Sequence, residues 1–222
     1  MIESILLILG GYLLGSVSSA YLAGRLAGKD LREYGSGNLG GSMVWEHVGP
    51  VAAIIAGLFD LFKAIFPTWL GLQLGLGESV AVAAGLAAVA GHCWSLYLGF
   101  TGGRGLLSFF GMMLIIWPWG ALWFAGLTVV GWLFKDSAPW ALAGLITMPL
   151  LAYLVGGPDI VAPIVAAMTL MALAKRLEAN RRPLPPPGPE RRKVILRRAF
   201  FDRDIADHQA WIDQQPGRDA SG

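Results

Sequence analysis

The 222-residue sequence predicts an all-α, polytopic membrane helix bundle of about seven transmembrane helices. Three observations predict it. Hydrophobic residues make up 55% and charged residues only 14%, whereas a soluble surface calls for about 25% charged residues. The shortage is local, because residues 1–174 hold 14 of the 32 charged side chains and residues 175–222 hold the other 18. The third observation is a series of apolar stretches, each close to the roughly 20 residues that a bilayer crossing needs. Cys93 is the single cysteine, which excludes an intrachain disulfide framework and a zinc cluster.

The first stretch runs from about Ile2 to Leu26. Glu3 stands where a signal peptide carries cations, and further spans follow, so this segment reads as a retained span. A second runs from about Pro50 to Gly71 and a third from about Ser79 to Leu98. Leu106–Phe134 is too long for one crossing at about 1.5 Å per residue. Its centre, Trp117-Pro118-Trp119, reads as a turn at the membrane interface, since Pro breaks a helix and Trp favours that depth. Two more spans, about Ala138–Val155 and Pro158–Ala174, meet at Gly156-Gly157.

Charge placement supports seven crossings over six. With seven, Arg25, Lys29, Arg32, Arg104, Lys135 and all the cations of the tail fall on one side. Glu3, Glu78 and Asp159 fall on the other, and Lys63 lies inside the second span. Cytoplasmic loops are enriched in Lys and Arg, which predicts an external N-terminus and a cytoplasmic C-terminus. The chain divides accordingly into a membrane domain, residues 1–176, and a cytoplasmic tail, residues 177–222. In the tail, Pro183–Pro189 reads as an extended spacer. The stretch Glu190–Gln215 reads either as a helix lying on anionic lipid or as a solvated tail. As a helix it carries Val194, Phe201, Ile205 and Ile212 along one face, with Arg192, Lys193, Arg197 and Arg198 near its start.

Chemistry is expected where so apolar a chain retains polar groups. Gly35-Ser36-Gly37-Asn38-Leu39-Gly40 follows the first span and formally matches the dinucleotide pattern G-x-G-x-x-G. That pattern requires a βαβ setting, which is absent between membrane spans. What remains is a loop whose backbone N–H groups can converge on an anion, or an interfacial turn. Gly99-Phe100-Thr101-Gly102-Gly103-Arg104-Gly105 is a second glycine-rich loop on the same side. The planar fork of Arg104 suits phosphate or carboxylate. Asp60 and Lys63, three apart within a span, share a helix face as a neutralising pair or as part of a site. His92 is the only histidine among the third to seventh spans and reads as a structural hydrogen-bonding residue or as a site member. Ser16, Ser18 and Ser19 can return hydrogen bonds to their own helix.

Taken in order, Gly15-Ser16, Arg25, Asp30-Leu31-Arg32, the Gly35–Gly40 loop, Asp60-Leu61-Phe62-Lys63, Gly91-His92 and Leu98–Gly105 resemble the bacterial acyl-phosphate:glycerol-3-phosphate acyltransferases. The likeness covers roughly residues 5–180. It implies a seven-span, multi-pass inner-membrane enzyme with cytoplasmic motif loops. It also implies transfer of a fatty acyl group from acyl phosphate to the 1-hydroxyl of glycerol 3-phosphate, giving lysophosphatidic acid for phospholipid synthesis. The expected partners are those two substrates and the lipid bilayer, with no cofactor, metal or nucleic acid. Catalytic roles fall on Arg104, His92 and Asn180. Substrate binding falls on Ser36, Gly37, Asn38, Gly40, Asp60, Lys63, Gly102, Gly103 and Gly105.

The chain departs from that family's pattern at several positions. Gly41-Ser42-Met43-Val44-Trp45-Glu46 stands where Ala-Thr-Asn-Val-x-Arg is usual, so an amide becomes the thioether of Met43 and a cation becomes Glu46. Thr101 stands where Lys is common, Arg104 replaces Lys with its charge kept, and Ala64 replaces Gly. Leu177 occupies a His position three residues before Asn180. These departures leave open a diverged relative with another acceptor or a non-catalytic lipid-binding role. A small transporter using Asp60 and Lys63 as an ion relay is a third possibility.

Overall fold

The computed structural model describes residues 1–214, and all regular structure among them is helical. In chain order the helices are α1 (Ile2–Ser16), α2 (Ser19–Leu26), α3 (Gly41–His47), α4 (Pro50–Gln73), α5 (Glu78–Cys93) and α6 (Leu106–Ile116). They continue with α7 (Pro118–Leu133), α8 (Ser137–Val155), α9 (Val161–Glu178), α10 (Pro189–Phe201) and α11 (His208–Asp213). Short 3-10 turns at Leu31–Glu33, Leu96–Leu98 and Ala179–Arg181 join them. By length and apolarity, Ile2–Leu26, α4, Glu78–Leu98 and α8 suffice to cross a membrane, while α6 and α7 are shorter apolar helices.

Three features depart from the sequence expectation. The first span is two helices. Val17 and Ser18 are extended, and the Ser18 hydroxyl caps α2 by accepting from the Tyr21 N–H. Of the three serines, only Ser16 returns its hydroxyl to its own helix, at the Tyr12 carbonyl. Ser19 instead donates across to Asp60. The break between α6 and α7 does fall at Trp117, with Pro118 opening α7 where its missing N–H costs nothing. Yet the Trp117 ring is buried, packed against Gly120 and Gly157, and Trp119 alone faces outward. Trp117 therefore pins the α8–α9 turn and belongs to no interfacial belt. Gly156 takes the left-handed conformation (φ 65°) that stops α8.

The tail is the third departure. In place of one helix from residue 190, α10 stops at Asp202, in the left-handed conformation, and α11 begins only at His208. Val194 and Ile212 are buried, but on separate helices, while Phe201 is exposed and Ile205 half-buried, so the single apolar face does not form. Arg198 is buried as well. That guanidinium pairs with Asp204 at 2.6 Å and donates to the carbonyls of Leu177, Arg182 and Pro183, so it faces protein rather than lipid headgroups. Gln215, the last residue of the expected helix, lies outside the described residues.

Small residues let the helices approach closely. α1 packs along α5, and a Cβ on Gly15 would stand 2.1 Å from the Ala88 carbonyl oxygen, one on Gly91 2.2 Å from that of Tyr12. Such contacts between backbones drive helix association where lipid removes the hydrophobic incentive. Gly91→Val should therefore destabilise the protein by about 1–3 kcal/mol or more, since overpacking here meets backbone and not a movable side chain. Thermal unfolding in detergent micelles measures it; an unchanged midpoint would mean that the α1–α5 seam is not tight. A methionine-rich core, with Phe109, Met112, Met113, Met148 and Met168, fills the space between α5, α6, α8 and α9.

Candidate active site

Two glycine-rich loops meet at one end of the bundle. In the first, Gly35 (φ 46°) and Gly37 (φ 67°) take left-handed conformations that a side chain would strain. Asp30 introduces it by accepting from the Arg32 N–H, and the guanidinium hydrogen-bonding its carboxylate holds that carboxyl below the usual range. In the second loop, the Gly103 N–H donates to the His92 carbonyl and the Gly102 carbonyl accepts from the Leu39 N–H, which joins the two loops directly. Gly103 has no room for a side chain: a Cβ there would lie 2.1 Å from His92 Nε2.

Asn180 clamps the pair. Its Nδ2 donates to the carbonyls of Gly37 (2.8 Å) and Gly102 (3.1 Å), and its Oδ1 accepts from the Gly102 N–H (3.2 Å). Ala179, Asn180 and Arg181 hold left-handed conformations in succession (φ 44°, 50° and 66°) to deliver that amide. Runs of strained non-glycine backbone persist where surrounding structure enforces them, commonly at functional sites.

Arg104 lies beneath the loops, 5% exposed. Nη2 donates to Ser36 Oγ (3.0 Å) and Nη1 to the Lys175 carbonyl (3.1 Å). Nε lies 2.8 Å from both carboxylate oxygens of Asp202, and Nη2 2.8 Å from Oδ1. The group is thus neither exposed nor a mere topology signal. Lys175, fully buried beside it, donates to the Phe100 carbonyl, pairs with Glu178 and lies over the Trp94 ring.

A second polar centre lies inside the bundle. Asp60 Oδ1 accepts from Lys63 Nζ (2.9 Å) and from Ser19 Oγ (2.8 Å), and His92 Nδ1 stands 3.5 Å away. Lys63 also donates to the Val17 carbonyl freed by the α1–α2 break. The break and the buried lysine therefore satisfy each other. His92 connects this centre to the loops, with its ring on Asp60 and Gly103 and its carbonyl on the Gly103 N–H.

The structure thus brings together Ser36, Gly37, Asn38, Gly102, Gly103, Arg104, Gly105, His92 and Asn180, with Asp60 and Lys63 one layer deeper. Gly40 is the extended residue before α3. Of the departing positions, Met43 is buried and lines a cavity of about 120 Å³ beside Ser36 and Asn38. Glu46 and Leu177 are exposed, and Thr101 donates to the Leu98 carbonyl. Sequence reasoning did not single out Asp202, Arg203 and Asp136, which line the same cavity. One signal was available: Asp202, Asp204 and Asp207 follow directly on the cationic run, a poor composition for a segment meant to lie on anionic lipid.

The profile of a family described as "Glycerol-3-phosphate acyltransferase" matches residues 5–184. The chain belongs to that family. It is 38% identical over 175 residues to the glycerol-3-phosphate acyltransferase of Parasynechococcus marenigrum, covering 78% of this chain and 82% of that one. It is 32% identical over 223 residues to glycerol-3-phosphate acyltransferase 5 of Dehalococcoides mccartyi, covering 95% and 93%. Among solved structures it is similar to PlsY (YgiH), an integral membrane glycerol 3-phosphate acyltransferase, in its glycerol 3-phosphate form. The TM-score is 0.73 at 25% identity, over 81% of this chain and 91% of that one. The chain is therefore a multi-pass membrane protein of an acyltransferase family, which takes Asp60 and Lys63 away from the ion-relay reading.

Proposed function

We propose that the protein transfers a fatty acyl group from acyl phosphate to the 1-hydroxyl of glycerol 3-phosphate, making lysophosphatidic acid for phospholipid synthesis. The observation that carries this reading is the joining of two glycine-rich loops by Asn180 around the buried Arg104 and Ser36. Both substrates are phosphates and one bears an apolar chain, so the task calls for anion-binding loops at the rim of an apolar bundle. Ser36, Gly37, Asn38 and Gly40 form one wall of the phosphate site; Gly102, Gly103, Arg104 and Gly105 form the other. Arg104 and the loop N–H groups stabilise the charge that develops as the hydroxyl attacks the acyl carbonyl. His92, steadied by Asp60, takes the proton from that hydroxyl and returns it to the departing phosphate. The loops position both substrates for the attack.

The proposed topology counts Ile2–Leu26, α4, α5, α6, α7, α8 and α9 as seven crossings of the inner membrane. Its N-terminus is external, because Arg25, Lys29, Arg32, Arg104 and Lys135 share an end with the cationic tail. Residues 1–176 form the membrane domain and 177–222 the cytoplasmic tail.

Purified protein given both substrates is expected to release phosphate and form lysophosphatidic acid. No product above a heat-inactivated control would sink the reading. Met43 favours a second one: its buried thioether replaces an amide on the cavity wall and could turn the same fold to another acceptor. The same assay with a panel of polyol phosphates decides it by the highest kcat/KM.

A further inference from the structure

The segment beyond the family-matched residues closes over the site. α10 lies against α8 and α9, and Arg176 donates to the Ala199 carbonyl beneath it. The chain then turns at Asp202 in the left-handed conformation (φ 56°) and returns across the first glycine-rich loop. There Trp211 and Ile212 are buried, and the Gln214 carbonyl accepts from the Gly35 N–H at 2.8 Å. This path sets the Asp202 carboxylate on Arg104. With Nη2 also on Ser36 and Nη1 on the Lys175 carbonyl, each of the three guanidinium nitrogens already has a partner. A planar, doubly bonded carboxylate on an Arg fork imitates the way two phosphate oxygens are held there.

We propose that Asp202 is an internal stand-in for a substrate phosphate, and that residues 202–214 form a lid which leaves Arg104 when a phosphate substrate enters. The proposal rests on the reading that Arg104 receives a substrate phosphate. Two anions do not share one guanidinium without strong repulsion, so carboxylate and phosphate exclude each other. The seam under the lid is also incompletely bonded. Its cavity is lined by Ser36, Asn38, Asp202 and Arg203 and, at about 120 Å³, offers roughly ten times the space one water needs. Asn38 Oδ1 and Arg203 Nη1 are buried there without a hydrogen-bond partner among the described residues. Arg203 otherwise holds Asp136 at 2.9 Å across the seam. Apart from Trp211 and Ile212, the segment is held by exchangeable polar contacts around unsatisfied groups, which suits local opening while the bundle stays folded.

Hydrogen exchange on the full-length protein in detergent tests the lid directly, once with glycerol 3-phosphate and once with an unreactive alkylphosphonate in place of acyl phosphate. Amides of the loops at 36–40 and 102–105 should slow with at least one ligand, while Gly35, whose N–H loses the Gln214 carbonyl when the lid leaves, should not. With the ligand whose phosphate takes Arg104, exchange over 202–214 should rise about tenfold or more, which also says which substrate displaces Asp202. Slowed loops with an unchanged or slowed 202–214 segment under both ligands would overturn the lid. If neither ligand slows the loops, the phosphate-site reading fails, and the lid with it. Asp202→Asn, which keeps the shape and removes the charge, should lower KM for the displacing substrate about tenfold, because less of the protein is held closed. A fall in kcat at constant KM would instead make Asp202 an orienting residue for Arg104, and would overturn the proposal.

Discussion

Arg104→Ala is expected to lower acyl transfer by about 10²–10³-fold, the usual cost of losing a donor that meets developing charge in a dry site. The residue is buried, and its three nitrogens reach the first glycine-rich loop at Ser36, the Lys175 carbonyl of α9 and Asp202 of the tail. Removing one partner of a buried ion pair costs about 3–5 kcal/mol, and Asp202 would lose the cation that faces it. The double variant Arg104→Ala/Asp202→Asn removes both charges and should recover most of that stability without recovering turnover. Arg104→Lys keeps the charge that the family pattern carries but loses the planar fork, and should retain activity within about tenfold of wild type. Phosphate release and thermal unfolding, measured on the same detergent preparations, separate the two effects. Turnover at the wild-type rate in a folded Arg104→Ala protein would remove the residue from the site.

What could be read from the sequence followed from the solvent. A bilayer demands long apolar stretches, so the boundaries of α4 and α8 and the start of α5 stand within two residues of those expected, although α5 stops at Cys93, short of Leu98. Pro118 and Gly156 mark chain breaks by local chemistry alone and did so. The interruption at Val17 and Ser18 carries no such mark. It depends on Lys63 and Asp60, more than 40 positions away, taking up the polar groups that the break releases. Trp117 read as an interfacial residue by type, but its ring direction is set by the space that Gly120 and Gly157 leave. In the site, the glycine loops were visible as composition and Arg104 as a lone cation. The resemblance named Asn180 as a site residue but not as the clamp between the loops, a role that depends on a contact 143 residues from Gly37. Arg198 and Asp202 were missed because a helical wheel assigns charge to solvent. Here distant carbonyls and Arg104 solvate those charges instead.

Lys63→Met should be among the most damaging single substitutions in the protein. It leaves Asp60, 2% exposed, with Ser19 and His92 as the remaining polar neighbours of its carboxylate and no lysine to balance it. An orphaned buried charge costs about 3–5 kcal/mol, a large part of a typical folding free energy. It also strands the Val17 carbonyl at the helix break. Asp60→Asn should cost less, since the amide oxygen still accepts from Ser19 and Lys63 can still reach Val17. The double variant Asp60→Asn/Lys63→Met removes both charges, and the fold should recover most of the loss because a neutral pair of similar volume replaces a desolvated one. Activity should not recover with it. His92 is held between Asp60 and Gly103, and without the carboxylate nothing charged fixes which ring nitrogen faces the loops. Losing an oriented proton carrier should lower turnover by about 10²-fold even in a stable protein. Unfolding midpoints and kcat for the two single variants and the double therefore form one cycle. If the double variant is stable and turns over like wild type, the Asp60–Lys63–His92 centre is scaffold alone, and the proton must leave the acceptor hydroxyl by another route.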